Sequence, residues 1–157
     1  MVPATFLQTL EQSGLAAWVN SSARILGLLS GIHLIGFTIV VGGAFVCALH
    51  MVGAVFADRP SREITGTALR VMTAGLLVSL ITGGLLFMPR AQAAVANWIF
   101  GLKMLLLVAA VLSMLIVPRF AQQADFGSVL KLRAWGFVIA ALWLAVGAAG
   151  AAFILLE

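Results

Sequence analysis

Between Arg24 and Asp58 the chain contains no Asp, Glu, Lys or Arg, and this window includes the run GIHLIGFTIVVGGAFVCALHMVGAVFA. A helix that crosses the hydrocarbon core of a bilayer needs about 20 consecutive, mostly apolar residues. Three further windows meet the same requirement. VMTAGLLVSLITGGLLFMP has Arg70 at its leading end, ANWIFGLKMLLLVAAVLSMLIVP is interrupted only by Lys103, and AWGFVIAALWLAVGAAGAAFILL carries no charge. These windows place spans at about 24–57, 64–88, 95–117 and 132–156. The fold class expected is therefore all-α: an integral membrane antiparallel four-helix bundle in one domain, up-down-up-down because the connections are short.

Composition points the same way. Of 157 residues, 63% are hydrophobic and 9% charged, and the mean hydropathy is +1.17. Soluble domains average about a quarter charged, so a soluble domain and a disordered chain are both excluded. Nine Lys and Arg against five Asp and Glu give a net charge of +4, but the cations are dispersed. Such an excess reports membrane orientation rather than a nucleic-acid partner. The one cysteine, Cys47, falls within the first span and allows no intrachain disulfide.

The beginning of the chain differs from the rest. No Lys or Arg precedes Arg24, and the early apolar residues are broken by Gln8, Glu11, Gln12 and Ser13, which is not a signal-peptide pattern. Phe6, Leu7, Leu10, Leu15 and Trp18 recur with a helical rhythm. Residues 4–18 read as an amphipathic interfacial helix, with Gly14 as its weak point. Further on, Pro60 precedes the second span, Pro89 ends it and Pro118 ends the third. The last connection, RFAQQADFGSVLK, holds Asp125 and Gly127.

The positive-inside rule orients the spans. The first connection carries Arg59 and Arg62, and the third carries Arg119, Lys131 and Arg133, whereas the second offers only Arg90. Connections one and three are expected in the cytoplasm of an inner (cytoplasmic) membrane, with both termini outside.

An ionisable side chain inside hydrocarbon costs a few kcal/mol, so each one in a span calls for a reason. His33 and His50 lie on the first span, Arg70 on the second, Lys103 on the third, and Arg133 opens the fourth. The two histidines are separated by roughly 25 Å of helix and cannot share a metal within one chain. His33 and Lys103 fall at similar depth in the outer half, where a site using Trp98 or Met104 as well is geometrically allowed. A neutral imidazole ligates haem iron or copper, and a lysine beside it can pair with a propionate. The bland alternative has Lys103 snorkelling to the interface and His33 bonded to a neighbouring carbonyl. His50, Arg70 and Arg133 lie toward the inner face, where they mark topology and headgroup contact or form an anion or lipid site.

Gly27, Gly31, Gly36, Gly42, Gly43, Gly83, Gly84, Gly147 and Gly150 suit close helix packing. Ser30, Thr38, Thr73, Ser79 and Thr82 are the candidate interhelical hydrogen bonders. The scattered Met residues read as packing, and no HExxH, CxxC or nucleotide-binding glycine loop is present.

The residues also carry a resemblance. LAAWV before GIHLIG, then NWIFGLKMLLL and RAWGFVIAALWLAVGAAG, together resemble an uncharacterised family of small bacterial four-helix membrane proteins over most of the chain. This sequence departs from that pattern late in the first span, where Ala48 and His50 stand at positions that commonly hold an acid and an arginine. More distantly, the layout is similar to the copper-resistance protein D family and to the membrane-bound protoporphyrinogen oxidase HemJ. Both have a histidine-led first span with glycines, and the oxidase, which is associated with haem b, has an early lysine in its third span that maps onto Lys103.

Three functions are open at this point. The first is a haem-b-binding, redox-linked membrane protein with His33 as axial ligand and Lys103 near a propionate. The second is a non-catalytic accessory or scaffold subunit of a larger membrane complex. The third is a copper-handling or transport protein. In each case the bilayer is the surrounding partner, and homo-oligomers or membrane complexes are expected.

Overall fold

The computed structural model describes residues 4–121 and 129–156, with the side chains of 5–116 and 133–156. Asp125 and Gly127, and the side chains of Arg119 and Lys131, lie outside the described residues. Among those described, the regular structure is helical throughout: α1 (Ala4–Glu11), α2 (Gly14–Asn20), α3 (Ala23–Met51), α4 (Ser61–Phe87), a 3₁₀ turn (Met88–Arg90), α5 (Ala91–Ala96), α6 (Trp98–Ala121) and α7 (Val129–Leu155). Four helical stretches, in α3, α4 with its continuation to Ala96, α6 and α7, are long and apolar enough to cross a membrane.

Helix α3 packs along α4 and α7, and α6 packs along α7 and also meets α4. The core that joins them takes Val40, Ala44, Cys47 and Met51 from α3, a seven-residue repeat that keeps one stripe inward. Met72, Met114, Ile139 and Trp143 fill it from the other three helices. The outward faces are equally apolar: Leu28, Leu105 and Phe137 are each at least 67% exposed. A helix that is apolar all round has no solvent face, which is the pattern of a lipid-facing span.

Helices α3 and α4 come together at two glycines. A Cβ on Gly36 would meet the Gly75 carbonyl oxygen at 2.8 Å, and one on Gly75 would meet the Gly36 oxygen at 2.7 Å. Backbone therefore touches backbone here, as small residues permit between membrane helices. One turn further along α4 stands Ser79, so this close approach sets the spacing at the polar centre.

Some boundaries differ from those expected. Helix α3 stops at Met51 rather than near 57, because Gly53 adopts φ +79°. The Gly53 amide donates to the His50 oxygen (2.9 Å) and the Ala54 amide to the Leu49 oxygen (2.8 Å). That pair of bonds is a Schellman stop, which needs a left-handed residue and so favours glycine. Pro118 does not end α6, which continues to Ala121. The N-terminal helix extends to Asn20 and breaks at Ser13, whose hydroxyl oxygen caps α2 by accepting from the Ala16 amide (3.2 Å).

Helices α1 and α2 pack against the 3₁₀ turn and α5, at the end of the molecule where α3 begins and α4 finishes. They bury Leu7, Ala16 and Val19 and leave Phe6, Leu15 and Trp18 exposed. Glu11 fastens the contact: one carboxylate oxygen accepts from the Gln92 amide (2.8 Å), the other from Gln92 Nε2 (2.6 Å).

Candidate functional site around His33 and Lys103

His33 is half-buried on α3, facing α4. Its Nδ1 lies 2.9 Å from the Ser79 carbonyl oxygen and 3.2 Å from Thr82 Oγ1. A carbonyl can only accept, so Nδ1 carries the proton and donates. The Ser79 hydroxyl returns a bond to the His33 carbonyl at 3.1 Å. The two residues thus clamp each other, side chain to backbone in both directions. The Thr82 hydroxyl donates to the Val78 oxygen of its own helix (2.7 Å) and leaves a lone pair toward the imidazole.

This geometry fixes the tautomer. With the proton on Nδ1, Nε2 keeps its lone pair, and it makes no hydrogen bond among the described residues. The ring lies flat enough on α4 that a Cβ on Gly83 would meet Cε1 at 3.0 Å. A methyl group there would press the ring by a few tenths of an ångström.

Lys103 approaches from α6. It is half-buried, and its Nζ lies 3.5 Å from where a Gly150 Cβ would stand on α7. Phe37, one turn along from His33, packs on Gly147 of α7, 3.0 Å from the place of a Cβ. All four long helices therefore contribute to one level of the molecule: an imidazole from α3, a serine, threonine and glycine from α4, an ammonium from α6 and two glycines from α7. Of the further residues considered for this level, Met104 is half-buried, whereas Trp98 is 74% exposed and faces outward.

The opposite end is arranged differently. His50 is buried with both ring nitrogens engaged, Nδ1 3.2 Å from the Val55 oxygen and Nε2 3.1 Å from Ser61 Oγ. Nδ1 donates to the carbonyl and Nε2 accepts from the hydroxyl, so the ring ties the end of α3 to the start of α4. Arg70 stands nine residues beyond Ser61, about 13 Å along α4, and both Arg70 and Arg133 are exposed.

Ser79 and Thr82 are interhelical, in line with the expectation. Thr38 and Thr73 are not: each hydroxyl bonds back to its own helix, to the Leu34 oxygen (2.8 Å) and the Leu69 oxygen (2.7 Å). In an apolar setting that return bond satisfies a hydroxyl with no partner from another helix. Sequence reasoning missed Ser61 as the partner of His50. The signal was Ser61 directly after Pro60, at a helix start where it forms no cap. Among the described residues no three His, Cys, Asp or Glu side chains cluster to hold a metal ion.

No family model matches the chain, and neither a curated protein nor a solved structure does. The chemistry of the site rests on its own residues.

Proposed function

We propose that the chain is a four-span protein of the bacterial inner membrane, an antiparallel bundle with both termini outside, which holds haem b through His33. The observation that carries the reading is the 2.9 Å bond from His33 Nδ1 to the Ser79 carbonyl. Histidines that ligate metals nearly always donate their other ring N–H to a carbonyl or carboxylate, which orients the ring and raises the basicity of the ligating nitrogen. The donor set fits the group. Nε2 is the free ligand atom, Lys103 supplies a cation for a propionate, and the His33 ring lies against Gly83. A second histidine ligand from the same chain does not fit, because α3 is continuous from Ala23 to Met51 and keeps His50 far from His33. When bound, the haem would supply one-electron chemistry. His33 would hold its iron, Ser79 would orient His33, and Lys103 would anchor its acidic edge.

Protein purified in detergent from haem-replete cells should show a Soret band that His33→Ala abolishes. A colourless preparation from such cells would overturn the assignment.

A second reading, an accessory subunit, draws on a different observation. Gly27 and Gly31 share one face of α3, and a Cβ on either would meet nothing within 4 Å. Small residues spaced in this way let another membrane helix approach closely. Co-purification of a stoichiometric partner that Gly31→Leu displaces would favour it.

A further inference from the structure

Three phenylalanines from three helices meet at the end of the molecule where α3 begins. The Phe87 and Phe100 rings stack with centroids 5.5 Å apart and planes 14° from parallel, and Phe100 meets Phe153 at 5.7 Å and 53°. Stacked and tilted aromatic pairs attract beyond the area they bury. Phe87 closes α4, Phe100 lies in the first turn of α6 and Phe153 in the last turn of α7. All three are half-buried.

Helix periodicity sets these rings over the polar level. Residues three or four apart share a helix face, one turn above the other. Phe87 follows Gly83 by four residues, Phe100 precedes Lys103 by three, and Phe153 follows Gly150 by three. Helices α4 and α7 finish at this end and α6 starts here, so the ring is the outer member of each pair. Beneath them Gly83 carries the His33 ring and Gly150 the lysine stem. On α3 the residue four before His33 is Leu29, also apolar and half-buried. Lys103 conforms to this roof. A lysine so near a helix start can snorkel outward to water, but this one lies level. Its Cε and Nζ are each 3.5 Å, and its Cδ 3.9 Å, from where a Gly150 Cβ would stand. Lys103 and Gly150 are each five residues inside their helix ends, Trp98 and Leu155.

We infer that Phe87, Phe100 and Phe153 form an aromatic gate that shuts the His33–Lys103 level off from water at this end. Apolar constrictions of this kind close a polar interior by excluding water. Phe100 is the moving leaf, because both other rings touch it and its displacement opens both contacts. A water-soluble reactant reaches Lys103 from this end only when that ring swings aside. The gate does not rest on haem at His33.

The chain has two lysines, Lys103 and Lys131, so a water-soluble amine reagent reads the gate directly. Full-length protein in detergent micelles is treated with sulfosuccinimidyl acetate, and acetylation of Lys103 is timed by peptide mass spectrometry with the Lys131 peptide as reference. Phe100→Ala removes the ring that both others touch and should speed acetylation of Lys103 by about ten- to hundredfold, the range set by burial of one such ring. Phe153→Ala opens one of the two contacts and should raise the rate by a smaller factor; it decides the question if circular dichroism shows that Phe100→Ala fails to fold. Leu105→Ala, on the same helix at a side chain 68% exposed, should leave the rate unchanged. Equal rates in the wild type and both phenylalanine variants would overturn the inference. So would Leu105→Ala reacting as fast as Phe100→Ala, since Lys103 would then be reached from the side.

Discussion

Substituting alanine for Gly75 and for Gly84, two glycines of one helix, separates packing from intrinsic helix preference. In either place alanine gains the usual advantage over glycine, about 1 kcal/mol in a helix interior. At Gly84 nothing lies within 4 Å of the new methyl group, so that gain stands alone. At Gly75 the methyl would sit 2.7 Å from the Gly36 oxygen and 2.9 Å from Ile39 Cγ2, where ordinary contact begins at 3.4 Å. Helices α3 and α4 must then separate by several tenths of an ångström along backbone that cannot rotate away. Overpacking of this kind costs about 1–3 kcal/mol. The difference between the two variants cancels the helix term, so Gly75→Ala should unfold more readily than Gly84→Ala by about 1–3 kcal/mol. Unfolding in mixed micelles of rising SDS fraction, followed by circular dichroism, measures it. Equal stability of the two variants would refute the claim that α3 and α4 meet backbone to backbone.

Two other outcomes follow from particular bonds. His50→Phe keeps the bulk of the ring but strands the Ser61 hydroxyl and the Val55 carbonyl, which should cost about 1–3 kcal/mol; limited proteolysis should then cut the 52–60 connection faster. Glu11→Ala removes both bonds to Gln92, and the Gln92 amide should exchange hydrogen faster while amides in the middle of α4 keep their protection.

Much of this architecture could be read in the residues, because hydrocarbon imposes a rule that depends only on run length and charge. The four apolar stretches, the break near Gly14 and the pairing of depth between His33 and Lys103 all follow from counting along the chain. What counting cannot supply is azimuth and register between helices. Ser79 and Thr38 have the same chemistry and both sit mid-helix, yet of the two only the Ser79 hydroxyl bonds to another helix. Gly83, against which the His33 ring lies, cannot be told by sequence from Gly84, which faces open space. The clamp between Glu11 and Gln92 joins residues 81 positions apart, a separation that local patterning does not address. Pro118 misled for another reason: a proline near the end of an apolar run reads as a stop, whereas α6 carries it within its last turn.

The central claim is that the chain threads a bilayer four times, and sided cysteine labelling tests it most directly. With Cys47→Ser as background, single cysteines at Asn20, Asp58, Ala93 and Leu156 would be probed in intact cells with a membrane-impermeant maleimide. The account expects labelling at 20, 93 and 156 from outside, and at 58 only after the membrane is permeabilised. Labelling of 58 and 93 from the same side would contradict it.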